Sequence, residues 1–263
     1  MRKMPVVFSG HGSPLIALED NSVTRGMREV GDKIIERFGK PKAILAFSGH
    51  WFKRATYIQT AETPKQIYDM YGFPEELYQV KYPVKGCTDL SNRVMDLLGD
   101  EVKVNDDWGI DHGTWTVLCH MFPDADIPVV QLSVDISAEP HKLYEIGEKL
   151  SVLRDEGYLI FGSGNVVHNL RMVDWDDPNG SPRCVDFNDT FIKLLSARDD
   201  EAIINYEDLP NASYAAPTSE HFLPIIYLLG ASKGEKAEIF NNVCNLSAIA
   251  MTGFVIGWDE KQE

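Results

Sequence analysis

The chain has 263 residues, 44% hydrophobic and 25% charged, with a formal net charge of −15. That is enough apolar material for an α/β core without disulfide or metal staples, and the acidic balance, with no Lys/Arg cluster, argues against nucleic acid or an anionic membrane as partner. The four cysteines stand far apart without a CxxC pair and read as reduced thiols; the amino terminus turns polar too soon for a signal peptide and no apolar run approaches the ~20 residues of a membrane span, so the cytoplasm is the expected location.

Residues 5–9 form a short buried-strand run that stops at Gly10-His11-Gly12-Ser13-Pro14. Helical spacing over 22–38 (Val23, Met27, Val30, Ile34, Ile35, Phe38) follows, with Ser22 as expected N-cap and Gly39 and Pro41 as the stop. Ala43 to Ser48 is a second buried strand, ending at Gly49-His50-Trp51. This β-α-β unit places a histidine just past the carboxyl end of each strand, the edge where open α/β sheets gather ligands.

Further along, 55–60 reads as a strand and 63–84, rich in Tyr, Pro and Gly, as an irregular lobe. The pattern then gives a helix over 86–98, a short strand over 101–104, a helix over 113–122 opening after Asp111-His112-Gly113, a strand over 128–134, an amphipathic helix over 139–154 and a strand over 157–161. That last strand leads into Gly162-Ser163-Gly164-Asn165 and His168. Helices are expected over 182–196 and 199–205, another starting at Pro217 and carrying His221, and β-like runs over 236–241 and 246–257. No repeat or linker divides the chain. The expectation is one domain over 1–263, an α/β fold with a central mostly parallel or mixed sheet flanked by helices and a site at the carboxyl edge of its strands.

His11, His50 and His168 each follow a β-like run within a Gly/Ser/Asn-rich turn, where glycine permits close backbone approach. Three strand ends bringing imidazole to one sheet edge indicate a metal site, without naming the metal among Fe, Zn, Cu and Ni. On this pattern His168 is either a further ligand or an acid/base. His221, read as sitting in a first helical turn, would be kept neutral by the helix dipole and so able to ligate. Glu220 beside it reads as a solvated or dipole-facing carboxylate, with an outer-shell role as the alternative. His112 is a candidate acid/base or a helix-cap residue; His120 reads as a core histidine and His141 as solvent-facing. The P-loop lysine, the GxSxG register and the GxGxxG fingerprint are absent, and Ser13 and Ser163 read as turn residues.

Five blocks occur in order: His11-Gly12-Ser13-Pro14, Ser48-Gly49-His50-Trp51, Asp111-His112-Gly113-Thr114-Trp115, Gly162-Ser163-Gly164-Asn165 with His168-Asn169-Leu170, and Glu220-His221-Phe222-Leu223-Pro224. As a set they resemble the class III extradiol ring-cleavage dioxygenases, and within them the DOPA 4,5-dioxygenase-like branch, which Tyr71-Gly72-Phe73-Pro74 also fits. The resemblance implies a catechol substrate, O2 as co-substrate and a non-haem Fe(II) centre. It implies His11, His50 and His221 as metal ligands, His168 as acid/base and His112 as a second catalytic histidine touching substrate or oxygen. Trp51 and the aromatic 68–82 segment are then either pocket wall or core.

One departure stands out. The broader class uses two histidines and a carboxylate, and this chain has His221 at the carboxylate position. With His168 near, a four-histidine Zn(II) site becomes chemically reasonable. A zinc-dependent hydrolase on the same scaffold and a non-catalytic metal-binding relative are the readings of other classes.

Overall fold

The computed structural model describes residues 2–258; residues 1 and 259–263, which the expected 1–263 domain includes, lie outside the described residues. In chain order the first half holds β1 (Val6–Gly10), a 3-10 turn at Pro14–Leu18, α1 (Ser22–Phe38), β2 (Ile44–Lys53), β3 (Thr56–Ile58), α2 (Glu75–Gln79), α3 (Thr88–Leu98), β4 (Val102–Val104), α4 (His112–Met121) and β5 (Val129–Asp135). The second half holds α5 (Pro140–Leu150), α6 (Val152–Asp155), β6 (Leu159–Gly164), α7 (Pro182–Ala197), α8 (Asp200–Ile204), α9 (Ala212–Ala215) and α10 (Leu223–Ala231). It ends with β7 (Ala237–Phe240), β8 (Cys244–Asn245), β9 (Ile249–Ala250) and β10 (Gly253–Ile256).

Eight strands form one mixed sheet in the order β4-β3-β5-β2-β6-β1-β10-β7. Its centre, β5-β2-β6-β1, is parallel, and β10, β7 and β3 add antiparallel edges. The parallel strands are buried along nearly their whole length, as sheets covered on both faces require. Alternation then sorts the side chains. Val6, Phe8, Leu45, Phe47 and Ile160 enter one layer with α3, α5, α7 and α10, while Val7, Ile44, Ala46, Leu159 and Phe161 enter the other with α1 and α4. Among the described residues no helix is long and apolar enough to cross a membrane.

The α/β expectation holds, and several local expectations are corrected. The N-cap of α1 is Asn21, not Ser22: its Oδ1 accepts from Val23 N and Thr24 N, and Thr24 Oγ1 accepts from Asn21 N, closing a capping box. The expected 139–154 helix breaks at Ser151. The 246–257 run divides between β9, paired to β8 in a separate small sheet, and β10 in the main sheet. The expected helix from Pro217 is absent; α10 starts at Leu223, with Pro224 in its first turn. The 63–84 lobe holds one short helix, α2.

One buried charge ties the two ends of the fold. Arg154 is fully buried, donating through Nε to Met4 O and through Nη1 to Ala231 O. It also makes a two-pronged pair with Glu235 at 2.8 and 2.7 Å. Burial raises the Glu235 pKa, but the Arg154 and Lys3 contacts together outweigh it and hold the carboxyl below its ordinary range. A depressed folded-state pKa adds stability above the unfolded carboxyl value, lost as pH falls through the folded one. Glu235→Gln is therefore expected to cost about 1–3 kcal/mol at pH 7, and the gap from the parent in denaturant titrations should narrow as pH falls below about 4, the ordinary glutamate range. A gap that does not narrow between about pH 7 and pH 3 contradicts this linkage.

Candidate metal centre

Three imidazoles meet at the carboxyl edge of the parallel strands. His50 Nε2 lies 3.1 Å from His11 Nε2 and 3.3 Å from His221 Nε2. The opposite nitrogen of each ring faces an acceptor. His11 Nδ1 is 2.9 Å from Ser163 Oγ, and that hydroxyl gives its proton to the Gly113 carbonyl, so it must accept from the imidazole. His50 Nδ1 lies 3.1 Å from Asp69 Oδ2, and His221 Nδ1 lies 3.3 Å from Glu220 Oε1. Carboxylates only accept, so all three rings are biased to the Nδ1–H tautomer, with the His50 Nε2 lone pair facing Nε2 of both His11 and His221. Facing lone pairs repel unless a proton or cation lies among them. Two nitrogens each about 2.0–2.1 Å from one ion stand roughly 2.9–3.4 Å apart, so the donor set fits a single divalent metal.

Protonation follows burial and neighbours. Burial, then the charge of His50, hold His11 and His221 well below the ordinary histidine range. Burial and His221 do the same to His168. His50 is the exception: burial pulls it down, but the Asp69 contact and the charge of Asp111 raise it overall. Asp69 itself resists burial through its contacts with His112 and His50, which keep its carboxyl far below the usual carboxylate range.

Each ring is placed by a separate backbone device. His11 follows the end of β1, and its N–H donates to Gly164 O. His50 lies inside β2, not past its end: pairing with β6 stops at Ser48, pairing with β5 shifts between Phe47 and Phe52, and the irregularity between them carries His50. His221 sits in a turn before α10, so a helix-dipole argument does not describe it. Instead its carbonyl accepts from Asn165 N at 3.0 Å. The chain passes there because residue 164 is glycine; a Cβ on Gly164 would stand 2.1 Å from His221 O.

His112 opens α4, whose N-cap is Asp111. The Asp111 carboxylate is consumed by Ser48 Oγ, Gln131 Nε2, Trp108 Nε1 and Thr114 N. The His112 ring lies over His50, centroids 3.9 Å apart, with Nδ1 2.9 Å from Asp69 Oδ1 in a bent approach that makes no good hydrogen bond. His168, tied through its N–H to Ala215 O, stacks on His221 with centroids 3.6 Å apart and planes 7° from parallel. His50 and His168 are the part-exposed members, so the cluster opens toward solvent between them.

Nitrogens of His11, His50 and His112 also fall within 4.8 Å of one another. That triple shares two members with the His11/His50/His221 set. The latter fits an ion better, because His50 Nε2 meets both His11 Nε2 and His221 Nε2, whereas the His112 ring lies across His50. All five expected histidines are thus brought together. His120 is a core residue bonded to Ile16 O, and His141 is exposed beside Glu201. Three readings change: Ser163 is a hydrogen-bond partner of His11, Glu220 faces His221, and Asp69, unmarked in the 63–84 lobe, joins the cluster. Trp51 is buried, while the lobe's Tyr82 is core and its Tyr71 is 91% exposed.

The fold and site define an α/β protein with a histidine-rich, strand-edge candidate metal centre. Residues 5–257 match the family described as the catalytic LigB subunit of aromatic ring-opening dioxygenase, and the chain belongs to that family. It is 42% identical over 240 residues to the 4,5-DOPA dioxygenase extradiol of Escherichia coli K12, covering 89% of this chain and 87% of that one. It is 36% identical to the protein of that name from Beta vulgaris, covering 89% and 90%. The crystal structure of an uncharacterized Escherichia coli K12 protein superposes with a TM-score of 0.83 at 38% identity, covering 97% of this chain and all of that one.

Gly164→Ala tests the close approach. The added methyl meets backbone, which cannot swing aside, so a loss of about 1–3 kcal/mol is expected, read as a fall of several degrees in Tm. An unchanged Tm contradicts the packing account.

Proposed function

We propose that the chain is an extradiol dioxygenase that opens the ring of a catechol such as DOPA or a related aromatic diol, using O2 and one non-haem Fe(II). The observation that carries this reading is His50 Nε2 lying within 3.3 Å of both His11 Nε2 and His221 Nε2, with His112 and His168 packed on the same rings. His11, His50 and His221 hold the metal in this account. When bound, a divalent metal acidifies a coordinated hydroxyl and brings two reactants into contact.

The remaining steps belong to the protein. Held below its ordinary range by burial, His168 is a neutral base at pH 7, standing beside the ligand set at its part-exposed rim. It takes the second catechol proton and returns it as the ring opens. His112 hydrogen-bonds a substrate oxygen, its backbone fixed by the N–H that donates to Asp69. Both atoms of O2 enter the product, and cleavage beside the diol gives a muconic-semialdehyde-type compound. The acidic chain, with no helix among the described residues long and apolar enough to cross a membrane, suits a small-molecule substrate, and the cytoplasm is its proposed location.

The test is to load the protein anaerobically with Fe(II) and expose it to air with DOPA, catechol and related diols. A yellow ring-fission product is expected with Fe(II) and not with Zn(II); none with any diol contradicts the reading. His168→Ala should retain the metal while turnover falls about 100-fold or more. Loss of metal instead makes His168 a ligand.

A further inference from the structure

Among the described residues, Asp69 is the carboxylate that faces two of the clustered histidines at once. Its oxygens are not equivalent. Oδ1 accepts the His112 backbone N–H at 3.0 Å and lies 2.9 Å from His112 Nδ1, while Oδ2 lies 3.1 Å from His50 Nδ1. The side chain is only 14% exposed, so little water competes for either oxygen.

We infer that Asp69 is a positioning residue: it fixes the tautomer of His50, keeping the Nε2 lone pair free for the metal, and joins that ligand to His112 through one carboxylate. The inference rests on the metal-centre reading above. An acceptor on Nδ1 orients a ligating imidazole and raises its basicity. The wider class obtains negative charge from a carboxylate ligand; here His221 is neutral, and Asp69 supplies that charge one bond network further out.

The asymmetry makes Asp69→Asn discriminating. The amide oxygen will take the Oδ1 place, because the His112 N–H donates there, which puts the amide NH2 against His50 Nδ1. Two donors cannot face each other, so His50 shifts its proton to Nε2 and blocks the ligand position. Zinc affinity, measured by competition with a chelator, should fall about 10–100-fold with Tm within a few degrees of the parent. Long-range 1H–15N NMR of the metal-free proteins, at a pH high enough to make His50 neutral, should show His50 as Nδ1–H in the parent and Nε2–H in the variant.

A variant that binds zinc like the parent, with His50 still Nδ1–H, overturns the inference and leaves the metal-centre reading standing. Should the variant not fold, the parent's tautomer decides, Nε2–H overturning the inference. A parent that takes up no zinc or iron contradicts the metal-centre reading itself.

Discussion

Everything near the site depends on holding the His50 Nε2 lone pair 3.1 Å from His11 Nε2 and 3.3 Å from His221 Nε2, an arrangement unfavourable in the absence of a cation. The rings cannot relax by turning, because each Nδ1 is held: by a hydroxyl committed to the Gly113 carbonyl, by Asp69 and by Glu220. Burial disfavours protonating His11 and His221, so a proton among the rings goes to His50, which Asp69 and Asp111 hold above the ordinary histidine range. A bound cation would relieve that crowding in place of the proton. Losing one outer partner therefore matters although that partner never reaches the centre.

The fold supplies the enforcement cheaply. Parallel strands end in register, so β1 and β6 bring His11 and the Ser163–Asn165 segment side by side, and the irregularity in β2 brings His50 beside them. The turn before α10 then closes the fourth side, drawn in by Asn165 N and admitted by Gly164. Gly113 does similar work, a Cβ there standing 2.8 Å from His50 Cδ2. Histidines separated by long stretches of chain thus converge through backbone placement, and the side chains need only small adjustments.

Much of this was legible in sequence. Apolar runs bounded by glycine gave the central strands, and Gly/Ser/Asn turns after them marked His11, His50 and His168. Features set by tertiary contact were not legible. The turn at His221 looks helical because Pro217 and the apolar 222–231 run imitate a helix start, and only the carbonyl contact with Asn165 reveals otherwise. Asp69 lies in a Tyr/Pro-rich lobe without periodicity, 19 residues after His50 and 43 before His112. Nothing local distinguishes a carboxylate that folds back onto two histidines from one facing water. Ser163 likewise reads as a turn residue until its two partners are seen.

The central claim is that His221, and not His112, completes the set with His11 and His50. Cobalt(II) titration of the parent, His221→Ala and His112→Ala, followed by the visible d–d absorption, tests it most directly. The account predicts one equivalent bound by the parent and by His112→Ala, and loss of the band in His221→Ala. Binding retained by His221→Ala and lost in His112→Ala would contradict it.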